Sequence, residues 1–134
     1  MSEVTIEILD RALKTLEEVI VIVQKERTSL MMDACIQRFE YTFETSRKLL
    51  KKVVIDALAI SSETMSYGAI IRAARKLGFI TDHVAWMVFL DDRNLTAHEY
   101  NELKAALVFE RIPEFALHAR QLVSSLRERL PNEP

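Results

Sequence analysis

The sequence predicts an all-α protein: an up-and-down antiparallel four-helix bundle with an additional short helix. Three observations carry that expectation. Apolar residues recur at helical spacing along most of the chain. Two glycines and three prolines in 134 residues are too few for a turn-rich β architecture. Apolar residues at 49% and charged residues at 28% are ordinary for a soluble domain with a real core. No internal repeat, low-complexity segment or linker divides the chain, so residues 1–134 read as a single domain.

The elements follow in order. Leu9, Ala12, Leu13, Leu16, Val19, Ile20 and Val23 make one stripe of a first helix. The β-branched run "VIVIV" at 19–23 would suit a strand, but the periodicity before it favours continued helix. "KERTSL" breaks the helix, and Thr28 or Ser29 can cap the next one. The second helix is the clearest: Met32, Cys35, Phe39, Phe43, Ser46, Leu49, Leu50 and Val53 follow a heptad-like pattern. On this helix Glu44 has Lys48 as its natural partner one turn on. "ISSET" at 60–64 is a break, and Ser66 is a fitting N-cap for a short helix to Leu77. Arg75 and Lys76 suit its end, and Gly78 sits where a C′ glycine belongs.

Thr81 and Asp82 can start a fourth helix. Its stretch "VAWMVFL" at 84–90 is apolar on every face, which predicts a central helix or a dimer interface. A last helical region carries Ala105, Leu107, Phe109, Ile112, Phe115, Ala116, Ala119, Leu122, Val123 and Leu126. Pro113 should kink or interrupt it. The tail "PNEP" is expected to end the ordered part.

Several function classes are disfavoured at once. A formal net charge of -2 is not that of a wholly basic nucleic-acid binder, although local basic clusters remain open. One cysteine, Cys35, precludes an internal disulfide and suits a reducing compartment; it falls on the apolar stripe and reads as core. No apolar run approaches the ~20 residues of a membrane span, and "MSEVTIEILD" lacks a signal-peptide pattern, so the expected location is the cytoplasm. There is no CxxC, Walker loop or Gly-rich dinucleotide turn. His83 and His118 have no Glu three residues before them, so the Glu-x-x-His signature of a carboxylate-bridged metal bundle is absent. No metal and no cofactor is expected.

One polar stretch interrupts the apolar pattern. "RNLTAHEY" at 93–100 places an arginine, a histidine and a tyrosine within about two helical turns. Arg93 and Tyr100 are a heptad apart and share a stripe, while Asn94 and His98 share another, so that Asn94 can orient His98. Arg93 and His98 lie about 140° apart on an ideal helix. They converge only through the long arginine side chain, a helix end, or a second subunit. Spacing alone leaves two readings open and leans to the plainer one, a solvated helix end formed by Asp91, Asp92, Arg93, Asn94, His98 and Glu99. The basic residues Arg47, Lys48 and Lys51 are a solvated face or a surface for RNA, and Arg72, Arg75 and Lys76 could extend it.

Four segments together change that balance. "RNLTAHEY" matches the Arg-x4-His-x-Tyr form of the motif that marks the HEPN superfamily. "QRFEYTFETSRKLLKKVV" (37–54), "GAIIRAARKLGFI" (68–80), "WMVFLDDRNLTAHEY" (86–100) and "FERIPEF" (109–115) resemble, in order, the branch named nucleotidyltransferase substrate-binding protein. The resemblance spans about residues 5 to 128. It implies a helical homodimer with the motifs near the dimer cleft, and the toxin-like half of a two-gene toxin–antitoxin module. It implies a metal-independent endoribonuclease with Arg93 and His98 catalytic and Asn94 supporting them. It also implies a partner, a minimal nucleotidyltransferase that silences the protein by adenylylating Tyr100. The family's name carries an alternative, a non-catalytic subunit that binds nucleotide or substrate for that partner.

Overall fold

A computed structural model of the chain describes residues 4–61, 65–98 and 102–134, with the backbone alone at 97, 98 and 102–104. The described residues form five helices and no strand: α1 (Ile6–Lys25), α2 (Ser29–Leu58), α3 (Tyr67–Leu77), α4 (His83–His98) and α5 (Glu102–Arg129). Four long helices and one short one are the expected all-α bundle. "VIVIV" lies inside α1, as its flanking periodicity predicts.

Local chemistry sets the boundaries. Thr5 and Thr28 cap α1 and α2, each hydroxyl accepting from the N–H three residues on (Ile8 at 3.2 Å, Met31 at 3.1 Å). Ser66 does the same for α3, accepting from Ala69 N–H at 3.2 Å. Asp82 Oδ1 accepts from Ala85 N–H at 3.0 Å at the start of α4. Each cap satisfies one N–H that the first helical turn leaves without a partner. α3 ends at Gly78, whose φ of 85° is left-handed and whose N–H reaches back to the Ala74 and Arg75 carbonyls. Ala59 ends α2 in the same region at φ 53°, without glycine's freedom from the Cβ clash.

α1 and α2 pair as a hairpin; α5 packs on both, and α3 and α4 close the other side of α2. Phe115 is the hub of the core. Its ring meets Phe39 edge-on at 5.1 Å, Phe89 at 5.2 Å and Trp86 at 5.8 Å, so α5 is tied through aromatics to both α2 and α4. Cys35 is buried on the α2 stripe, and burial pushes its thiol up to about 11, the behaviour of a packed, inert cysteine.

Three expectations are corrected. Of the kink or interruption expected at Pro113, the interruption does not occur, because α5 runs through it as one helix. Ile112, Phe115, Ala116 and Ala119 are all buried on either side of it, and their packing holds the segment helical despite the lost N–H. The central-helix alternative for "VAWMVFL" fails in the single chain, where Trp86 and Phe89 are buried but Val84 is 60% exposed; this does not bear on the dimer-interface alternative. Nor does the C-terminal tail trail away, because the Pro134 carbonyl accepts from Glu7 N–H at 2.8 Å and closes the chain's end onto the start of α1. Among the described residues, no helix is long and apolar enough to cross a membrane.

Candidate functional site

α4 turns three consecutive residues in three directions. Asp92 points inward, 1% exposed, and accepts two hydrogen bonds from Arg111 of α5, at 2.8 and 2.5 Å. This bidentate pair holds the Arg111 guanidinium more firmly protonated than usual, its hydrogen bonds to Asp92 outweighing its partial burial. Asn94 is exposed. Arg93 lies between them and reaches across to α2. The solvated-end reading therefore fails for Asp92 and Arg93, because helix rotation aims both at neighbouring helices.

Arg93 enters a small polar cluster where α2, α3 and α4 meet. Its Nη2 stands 3.9 Å from Glu44 Oε1, the outer limit of an ion pair. Glu44 is already engaged: Arg47 Nε donates to its two oxygens at 2.9 and 3.1 Å, and Arg47 Nη2 lies 2.9 Å from Oε1. The expected Glu44–Lys48 pair is replaced by this Arg47 fork, with Arg93 added from α4. Lys48 is exposed, as is Lys51 one turn beyond Arg47. Of the three basic residues expected to meet RNA, only Arg47 is thus drawn to Arg93, through their shared carboxylate.

Two buried polar atoms in this cluster lack a hydrogen-bond partner among the described residues: Arg93 Nε and the Tyr67 hydroxyl. Tyr67 comes from the first turn of α3 and packs its ring on Phe43 at 5.8 Å. Burial pushes its phenol far above the ordinary tyrosine range; the Arg47 charge pulls it back and the Glu44 charge adds to the rise. The cluster as a whole offers a guanidinium that is 29% exposed, and two buried donors without a partner among the described residues. Such a site suits an anion that brings several acceptor oxygens, such as a phosphodiester.

Thr96 reinforces the α4 end, its hydroxyl donating to the Arg93 carbonyl at 3.0 Å. His98 is the last residue of α4, and its side chain lies outside the described residues, as does Tyr100 altogether. The other two histidines belong to the scaffold. His118 packs on the Phe89 ring at 5.4 Å, with Nε2 3.9 Å from Glu114, and His83 opens α4. No group of three His, Cys, Asp or Glu side chains that could hold a metal occurs among the described residues. Sequence reasoning missed Tyr67 entirely. Its place directly after the Ser66 cap fixes the start of α3 but not the helix its ring packs against.

The family model for nucleotidyltransferase substrate-binding-protein-like chains matches residues 4–128. The chain belongs to this family. A probable ribonuclease HepT of Haemophilus influenzae is 29% identical, over 95% of this chain and 94% of its own. A Haemophilus influenzae structure, presented as the fold of a substrate-binding domain of a nucleotidyltransferase, superposes with a TM-score of 0.82. It is 28% identical and covers 91% of this chain and 98% of its own. A crystal structure from Thermus thermophilus gives a TM-score of 0.77 at 36% identity, over 89% of this chain and 98% of its own. The resemblance to the HEPN superfamily is thereby upheld at the level of this branch, and its helical fold with it.

Proposed function

We propose that this chain is a metal-independent endoribonuclease of the HEPN type, acting as a homodimer in the cytoplasm. In this reading it is the toxin-like half of a two-gene toxin–antitoxin module. The observation that supports it best is the state of Arg93. Arg111 and Arg120 are consumed in short, forked ion pairs across helices. Among the described residues Arg93 is not: it touches a carboxylate already bound elsewhere and carries a buried Nε with nothing to donate to. A guanidinium held in place yet unspent is what phosphate recognition requires. The HepT relative, named a probable ribonuclease, supports the same chemistry.

In the proposed reaction His98 removes the proton of a ribose 2′-hydroxyl. The oxygen attacks the adjacent phosphorus, the bond to the 5′-oxygen breaks, and a 2′,3′-cyclic phosphate forms. Arg93 balances the charge that builds on the non-bridging oxygens in the transition state. One histidine cannot easily be both base and acid in a single step, so His98 of a second copy protonates the departing 5′-oxygen. Asn94 orients His98 from one turn away. The nucleotidyltransferase partner transfers AMP from ATP to Tyr100: the phenol oxygen attacks the α-phosphorus and pyrophosphate leaves. The added phosphodiester lies two residues from His98 and fills the place beside Arg93 where RNA phosphate would bind.

Cleavage of cellular RNA by the purified chain, bearing no AMP by mass and held in excess chelator, tests this. Cleavage that disappears in Arg93→Ala and in His98→Ala is expected. A folded, unmodified wild-type chain that leaves RNA intact would instead favour a non-catalytic subunit that binds nucleotide or substrate for the nucleotidyltransferase. The family's description and the Haemophilus influenzae structure support that second reading.

A further inference from the structure

The hairpin of α1 and α2 carries a second polar feature, separate from the Arg93 cluster but adjoining it. An open groove of about 570 Å³ runs between the two helices, within the ~300–1,000 Å³ of ordinary ligand sites. Arg38, Tyr41 and Lys48 line it from one stripe of α2, and Arg11 and Thr15 face them from α1. We propose that this groove is a track for single-stranded RNA, which leads the substrate to Arg93. The proposal extends the ribonuclease reading by naming the form of its substrate and the path it takes.

Charge is the first argument. Three cations line the groove against one carboxylate, Glu44, and that carboxylate is engaged by Arg47. Arg38 and Lys48 make no ion pair among the described residues. Arg11 pairs with Glu7 at 3.2 Å, but both are well exposed, so the contact is weak and yields readily to a phosphate. A cationic lining is notable in a chain of net charge -2, and it complements a phosphate backbone. Between Arg38 and Lys48 α2 rises about 15 Å, a length that a few nucleotides would cover.

Tyr41 is the second argument. It is 57% exposed, on a helix whose other aromatics, Phe39 and Phe43, are fully buried. An aromatic ring displayed between two cations that form no ion pair among the described residues is the stacking platform of a sequence-tolerant single-strand binder. A duplex keeps its base faces covered and would gain nothing from it. Continuity is the third argument. Glu44 lines the groove between Tyr41 and Lys48 and is also the residue that Arg93 approaches at 3.9 Å, so the groove adjoins the candidate site through a shared residue.

The test is fluorescence anisotropy with a labelled 2′-O-methyl RNA of about 12 nucleotides, within the range one such surface covers. Its blocked 2′-hydroxyls prevent cleavage, so binding is read whether or not the chain is a nuclease. Wild-type protein should bind. Arg38→Ala combined with Lys48→Ala should weaken binding about tenfold and flatten the salt dependence by about 1.4 in log–log slope, about 0.7 per lost contact. Tyr41→Ala should weaken it about tenfold with the slope unchanged. These side chains are exposed, and circular dichroism will verify that each variant folds. No binding by wild type, or equal affinity in the variants, overturns the track. Cleavage of the unmodified RNA, measured in parallel, judges the nuclease reading separately. Intact RNA with groove-dependent binding removes only the catalysis, whereas cleavage without groove-dependent binding removes only the track.

Discussion

Among the described residues, two charge clusters that join helices are built on opposite principles. At the α1–α5 seam, Asp10 is nearly buried and receives Arg120 at 2.5 Å, Arg127 at 3.0 Å and Lys14 at 3.4 Å. Arg120 also forks onto Glu17 at 2.6 and 3.2 Å. At the α2–α3–α4 junction, Glu44 is shared between a close Arg47 and a distant Arg93, and two buried polar atoms have no partner among the described residues. The first cluster is satisfied and its arginines are spent on the fold. The second is left incomplete, and a buried donor without a partner costs stability that a purely structural site has no reason to bear. The contrast separates a polar seam from a polar site more sharply than burial or charge count does.

That contrast is open to measurement. The largest expected effect is on activity: Arg93→Ala should lower RNA cleavage by at least about 100-fold while its melting temperature stays close to that of wild type. A melting temperature that falls as steeply as the activity would make Arg93 structural and erase the distinction. Asp10→Ala should behave in the reverse manner. It removes the buried carboxylate of the cluster, while Arg120 keeps Glu17 and Arg127 keeps Glu7, and should cost about 2 kcal/mol, less than a fully buried pair because both arginines also keep part of their length in water. RNA cleavage per folded molecule should be unchanged.

The two clusters should also differ towards acid. Burial alone would raise the Asp10 carboxyl, but Arg120 and Arg127 outweigh it and hold its pKa below the ordinary 3.8. A group lowered on folding contributes stability above its unfolded value, and that contribution is lost as pH falls through the folded value. The melting temperature of wild type should therefore exceed that of Asp10→Asn by a constant margin above about pH 5. The margin should narrow below about pH 4, and a gap that persists unchanged into acid would show that Asp10 acts by packing rather than charge. The smallest effect is expected at Tyr67. Its hydroxyl has no partner to lose among the described residues, so Tyr67→Phe should leave stability unchanged or raise it by up to about 1 kcal/mol. A loss of more than about 1 kcal/mol would mean the hydroxyl is satisfied after all.

Much of this was readable in the chain because it is local. Thr28, Ser66, Asp82 and Gly78 act on N–H and carbonyl groups within a turn of themselves, so the helix ends follow from nearest neighbours. Arg93, Asn94, His98 and Tyr100 were legible as a motif in the same way. One error arose where helix spacing offers two partners, three and four residues on, and a third approaches from another helix. Lys48 is one partner that helix spacing offers to Glu44, but Arg47 takes the carboxylate and Arg93 approaches it from α4.

The sequence by itself determined the five helices and the caps of α2, α3 and α4, because periodicity and capping are properties of one segment, but it misplaced Leu107, which is 60% exposed while Val108 is buried. It also determined which residue types stand in the Arg-x4-His-x-Tyr motif. Only the tertiary structure decided that Asp92 turns inward to Arg111 and that α5 stays helical through Pro113. It alone brought Tyr67 beside Glu44, and it alone left Arg93 without a committed partner among the described residues. Each of these depends on which helix lies across from a given face, and that is set by how all the apolar stripes are buried together.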